Sequence, residues 1–85
     1  MVATRKHVAT RLSIIVEVDG KQRRYRALMQ AGTSGGWGIA FPDFRDCVSA
    51  GDTVTETVEQ GRKALALHIR GMLADGNPIP AASDW

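Results

Sequence analysis

Cys47 is the only cysteine of the chain. No disulfide can therefore form within it, which fits a reducing, cytoplasmic compartment. No stretch approaches the roughly 18 consecutive apolar residues of a membrane span. Behind Arg5 and Lys6 there is no apolar run that would make a secretion signal. The two histidines, His7 and His68, have no second histidine or cysteine at metal-ligand spacing. Gly32, Gly35, Gly36 and Gly38 lack the lysine and following helix of a phosphate loop. Cys47 has no base near it in sequence and reads as a small core residue rather than a nucleophile. Asp43, Asp46 and Asp52 are the one acidic group with the composition of a Mg²⁺-dependent nuclease. A turn accounts for the first two and a helix start for the third. The expectation is no enzyme, no cofactor and no metal, with function residing in what the surface binds.

What is present is one small domain. A chain of 85 residues buries only about 60–65% of its unfolded surface, so the core is small. The composition, 44% hydrophobic and 24% charged, is that of a globular fold rather than a disordered chain. Charge is unevenly spread. Residues 1–26 hold seven basic residues against two acids, net +5, and residues 27–85 hold four against seven, net −3. Arg5, Lys6, Arg11, Arg24 and Arg26 are thus candidates for contact with nucleic acid. Tyr25 points away from Arg24 and Arg26 on an alternating strand, so no aromatic stacking platform goes with them, and a solvated strand face is the simpler reading.

Leu12–Val18 is rich in β-branched residues and reads as a strand. Asp19-Gly20 follows, the strongest short hairpin signal, because a type I′ turn needs positive φ at both central residues. Lys21–Gln30 is the second strand, pairing Val18 with Lys21, Val16 with Arg23, Ile14 with Tyr25 and Leu12 with Ala27. Trp37, Ile39 and Phe41 put large groups on one face of a third strand, which Pro42 ends. Residues 43–46 then turn the chain, and Cys47–Ser49 adds a short strand. Thr53-Val54-Thr55-Glu56 has capping-box spacing, Thr53 accepting from the Glu56 amide and Glu56 reaching back. The helix it opens runs to about Ala74. Its core stripe is Val54, Val58, Gly61, Leu65, His68, Ile69 and Met72. Gly61 in that stripe implies close approach of helix and sheet. Gly76, with Pro78 beyond, stops the helix. Ile15, Leu28 and Leu67 fall off the core face. The expected fold is α+β, a small antiparallel three- to four-stranded sheet with one long helix on one face.

The order of segments from Tyr25 to Pro80 resembles the HicB-like antitoxin family of the HicA–HicB toxin–antitoxin system. The resemblance rests on the apolar strand closing in Phe41-Pro42-Asp43, then Cys47-Val48, then Gly51-Asp52-Thr53 opening a helix, then Asp75-Gly76-Asn77-Pro78-Ile79-Pro80. Arg45-Asp46 stands where members usually carry Pro-Gly, a turn that Asp tolerates. The resemblance implies a reduced RNase H-like fold and a partner, a small basic RNA-cleaving toxin of the HicA type, neutralised by steric masking. The resemblance starts near Tyr25; with strand 12–18 added from its pattern alone, the expected boundaries are residues 1–11 as a flexible basic tail, 12–80 as the HicB-like domain and 81–85 as a C-terminal tail. The candidate contact surface is the loop Pro42, Asp43, Phe44 and Asp46 with the outer helix face at Glu56, Glu59 and Lys63. Nothing up to Trp85 reads as a helix-turn-helix or ribbon-helix-helix segment, so DNA binding is not expected. A homodimer or dimer of dimers is expected, because the sheet must leave an open edge.

Overall fold

The computed structural model describes residues 9–85. Arg5 and Lys6, and most of the expected basic tail, lie outside them. Four strands form one antiparallel meander: β1 (Thr10–Val18), β2 (Lys21–Ala31), β3 (Trp37–Phe41) and β4 (Phe44–Gly51), in the order β1-β2-β3-β4. One helix, α1 (Val54–Ala74), covers one face of that sheet.

The Asp19-Gly20 turn holds φ of 53° and 76°, the positive values of a type I′ hairpin. The register is the expected one, with Val18 opposite Lys21 and Leu12 opposite Ala27, and it extends to Thr10 opposite Met29. That places Ile14, Val16, Val18, Tyr25, Ala27 and Met29 in the core and leaves Arg11, Ser13, Ile15, Arg24 and Arg26 on the outer face. Ile39, Phe41, Phe44 and Cys47 complete the sheet side of the core.

β3 and β4 depart from expectation. Pro42-Asp43 alone forms the turn, and β4 begins at Phe44. The register between the two strands shifts at Ala40/Phe41: Phe41 faces Phe44 while Ala40 faces Val48. The extra residues of β4 bulge, so Phe44 and Cys47 both point inward while Arg45 and Asp46 stay exposed. The bulge replaces the left-handed turn expected at Asp46, for among described non-glycine residues only Asp19 has positive φ. β3 is paired on both sides, so the sheet edges are β1 and β4; of the two segments expected to leave backbone open, the third strand or residues 47–49, it is the second, within β4, that does. Arg62 Nε donates to the Ile15 carbonyl at 2.9 Å and satisfies part of the β1 edge.

Thr53 Oγ1 accepts from the Glu56 amide at 3.0 Å, as expected for the cap. The Glu56 carboxylate reaches one residue further back, accepting from the Asp52 amide at 2.6 Å. The helix ends in a Schellman arrangement: Gly76 N–H to Leu73 O and Asn77 N–H to Met72 O, with Gly76 at φ 73°. Its buried row is Thr57, Gly61, Leu65 and Ile69. Val54 is exposed rather than part of the stripe, and Thr57 takes the inward place. A threonine can do so because its hydroxyl donates to the Thr53 carbonyl at 2.7 Å and is not left unpaired. His68 is half-buried with its ring edge-on to Phe44 at 5.7 Å, a packing role. Gly61 does bring helix and sheet together, since a Cβ there would lie 2.9 Å from Ile39 Cγ2.

Candidate partner-binding surface

The helix and the bulged hairpin divide the expected contact residues. Pro42 and Asp46 are exposed at the β3–β4 turn, and Glu56, Glu59 and Lys63 are exposed on α1. Phe44 is not available to a partner. Its side chain is buried, with its ring edge-on to Tyr25 at 4.8 Å. The bulge turns it inward, which sequence alternation alone did not reveal. The remaining residues do not converge. β4 runs from the turn to the start of α1, and α1 runs back so that His68 reaches Phe44. Glu56 therefore lies about 18 Å along the helix from His68 and the turn, at 1.5 Å per residue. Glu59 pairs with Arg62 at 2.7 Å, and Glu56 is engaged by the Asp52 amide. Lys63 belongs to a different patch, a groove between α1 and β1 shared with Val16, Glu17, Leu67 and Arg70.

Among the described residues no three or more His, Cys, Asp or Glu side chains come together as metal ligands. Asp43 instead holds an ion pair with Arg26 at 3.1 Å and accepts from the Ser83 hydroxyl. The Ser83 hydrogen bond, with help from Arg26, keeps the Asp43 carboxyl below the usual carboxylate range against a smaller opposing effect of burial. Burial alone pushes the Cys47 thiol up, as befits an inert core cysteine.

The residues after α1 are the main feature that sequence reasoning missed. Ala81–Trp85, expected as a tail, returns across the sheet as a strap. β3 pairs only with Leu28–Ala31, so β2 is unpaired on that edge towards its start. Pro80 accepts from the Tyr25 hydroxyl at 2.7 Å. Ser83 N–H donates to Arg24 O at 2.9 Å, and the Arg26 amide donates to Ser83 Oγ at 3.1 Å. The Asp84 carboxylate accepts from Ser13 Oγ at 2.5 Å, which holds its pKa below the usual value, and lies 3.7 Å from Arg24. Trp85 Nε1 donates to Leu12 O at 3.0 Å. The indole ring sits against two guanidinium groups, Arg11 at 5.0 Å and Arg26 at 5.3 Å. The available signal was the lone Ser-Asp-Trp after a proline-rich stretch, which has no helix or strand period to betray it.

No helix among the described residues is long and apolar enough to cross a membrane. The chain is 38% identical over 48 residues to an uncharacterized 14.9 kDa protein of the rep-hol intergenic region of Haemophilus phage HP1, a match covering 56% of this chain and 36% of the phage protein. It is 30% identical over 56 residues to a UPF0150 protein of Synechocystis sp., covering 66% of this chain and 71% of that protein. No solved structure matches. Residues 25–85 match the family described as the HicB-like antitoxin of bacterial toxin–antitoxin systems. The four-stranded sheet, the single helix and that match over most of the chain agree, and the chain belongs to the HicB-like antitoxin family.

Proposed function

We propose that this domain is a binding protein rather than an enzyme, and that it neutralises a small basic RNA-cleaving toxin of the HicA type by covering its catalytic surface. The family match over residues 25–85 carries this reading. Two features of the molecule support it. Residues 27–85, net −3, form an acidic body suited to a basic partner, a complementarity that chiefly raises the association rate. The acids Asp46, on β4, and Glu56 and Glu59, on α1, are exposed. Phe44 is withdrawn from the contact set, and Pro42 and Asp43 remain as the turn at its far end. A partner touching both ends must lie along the helix.

The test is protection. A HicA-type toxin is mixed with labelled RNA and increasing amounts of this chain. Cleavage stops at a stoichiometric ratio, and Asp46→Lys with Glu59→Lys slows association most at low salt. Undiminished cleavage at large molar excess over every HicA-type toxin encoded beside the gene refutes the reading.

A further inference from the structure

The strap does more to the outer face than close a strand edge. Arg11, Arg24 and Arg26 all project from that face, and Asp84 and Trp85 engage all three. The arrangement is specific: a flat aromatic ring held against two guanidinium groups, with an anionic group from the adjacent residue 3.7 Å from a third. Single-stranded nucleic acid is held in the same way, with bases stacked on guanidinium planes and phosphates beside cations. The strap also fits imperfectly. Arg26 Nε is buried and has no acceptor, a donor that a phosphate oxygen can satisfy.

We propose that the outer face of β1 and β2 is a binding site for single-stranded polynucleotide, and that Asp84-Trp85 occupies it in cis, the indole in the place of a base and the Asp84 carboxylate in the place of a phosphate. The occupant is displaceable. Arg24 and Asp84 are more than half exposed, with side chains 55% and 58% accessible, and such surface pairs hold weakly. Ser83 keeps its two backbone contacts with β2 while the last two residues lift away, so release does not require unfolding. This site lies on the opposite side of the sheet from α1 and does not depend on toxin binding.

The experiment uses the full chain and fluorescein-labelled single strands of one sequence, as RNA and as DNA, read by anisotropy at low salt. The variant Asp84→Asn/Trp85→Ala binds at least tenfold more tightly than the unaltered chain. Adding Arg11→Ala and Arg24→Ala removes the gain, and loss of Arg24 flattens the dependence of log K on log salt by about 0.7, the value for one single-strand phosphate contact. A gain for either strand supports the proposal, and the tighter arm names the source. Thermal melting checks that each variant is folded. A second readout uses Trp37→Phe, which leaves Trp85 as the only tryptophan; its emission changes as the oligonucleotide displaces it. The proposal falls if the double variant binds no more tightly, if the gain survives loss of both arginines, or if Trp85 emission is unchanged when anisotropy shows saturation. It falls too if the variant binds a synthetic 80–85 peptide but neither oligonucleotide, for the face is then a peptide site.

Discussion

Replacing Gly61 by alanine tests the closest approach in the core, and its sign depends on one neighbour. In an ordinary helix interior the change stabilises by about 1 kcal/mol. Here the new methyl would lie 2.9 Å from Ile39 Cγ2, 3.2 Å from Ile39 Cδ1 and 3.5 Å from Phe41 Cζ. Cδ1 can swing aside, but Cγ2 is fixed by χ1, which is stiff in a β-branched residue. Overpacking of this kind costs about 1–3 kcal/mol, so Gly61→Ala should destabilise by up to about 2 kcal/mol. Ile39→Ala removes both offending carbons. In that background the methyl enters vacated space, and Gly61→Ala should stabilise by about 1–2 kcal/mol, combining helix propensity with roughly one buried carbon. The coupling between the two sites is then about 1–4 kcal/mol, largely within the roughly 0.5–3 kcal/mol typical of touching residues. Urea unfolding followed by circular dichroism measures all four corners. Because Ile39→Ala alone costs about 2–5 kcal/mol, the cycle is run near the temperature of maximum stability. Stabilisation by Gly61→Ala in the unaltered chain, or a coupling under about 0.5 kcal/mol, refutes the argument.

Leu65, fully buried on α1, should cost about 2–5 kcal/mol when cut to alanine, read from the same unfolding curves. Acid should release the strap. Asp43 and Asp84 both have folded pKa values below the ordinary 3.8, so the stability they contribute is complete above about pH 4 and is lost as pH falls through their lower folded values. Trp85 emission in the Trp37→Phe chain should therefore shift below pH 4 while the far-ultraviolet signal holds. Sedimentation equilibrium at micromolar concentration should show a dimer, since β4 leaves an open edge and Ile15, Val48 and Leu67 are exposed. A single 9.2 kDa species would mean that those surfaces await a different protein.

The first hairpin and the helix were legible because each carries redundant local signals. Asp19-Gly20 names its turn, and nine consecutive pairs confirm the register it imposes. Thr53 and Gly76 mark the helix ends by chemistry that acts within a few residues. β4 was legible only as Cys47–Ser49, because period-2 reasoning fails across a bulge: Phe44 and Cys47 are three apart yet share a face. Thr57 was missed because hydrophobicity does not reveal a hydroxyl that finds its partner four residues back. The candidate contact residues could be listed from the sequence but not placed, since nothing local reports that Phe44 turns inward or that Glu56 and Pro42 sit at opposite ends of β4. The strap is the extreme case. Its partners lie on strands more than fifty residues earlier in the chain.

That long-range contact follows from a mismatch of strand lengths. β2 has 11 residues and β3 has five, because Pro42 cannot donate to a ladder and ends β3 early. β1 covers one edge of β2 along its length, but on the other edge β3 reaches only Leu28–Ala31. Arg24 C=O and Arg26 N–H are thereby left without strand partners, and buried or half-buried backbone groups need them. Ser83 supplies both, one through its own N–H and one through its hydroxyl. Asp43 sits in the turn that ends β3, so the residue following the strand break accepts from the Ser83 side chain that mends it. The mend also fixes where the next two residues go. With Ser83 pinned at the β2 edge, Asp84 and Trp85 pass over the outer face, where alternation has already placed Arg11, Arg24 and Arg26. An unpaired strand edge on one side of the sheet thus determines the occupancy of a basic face, while α1 covers the other side.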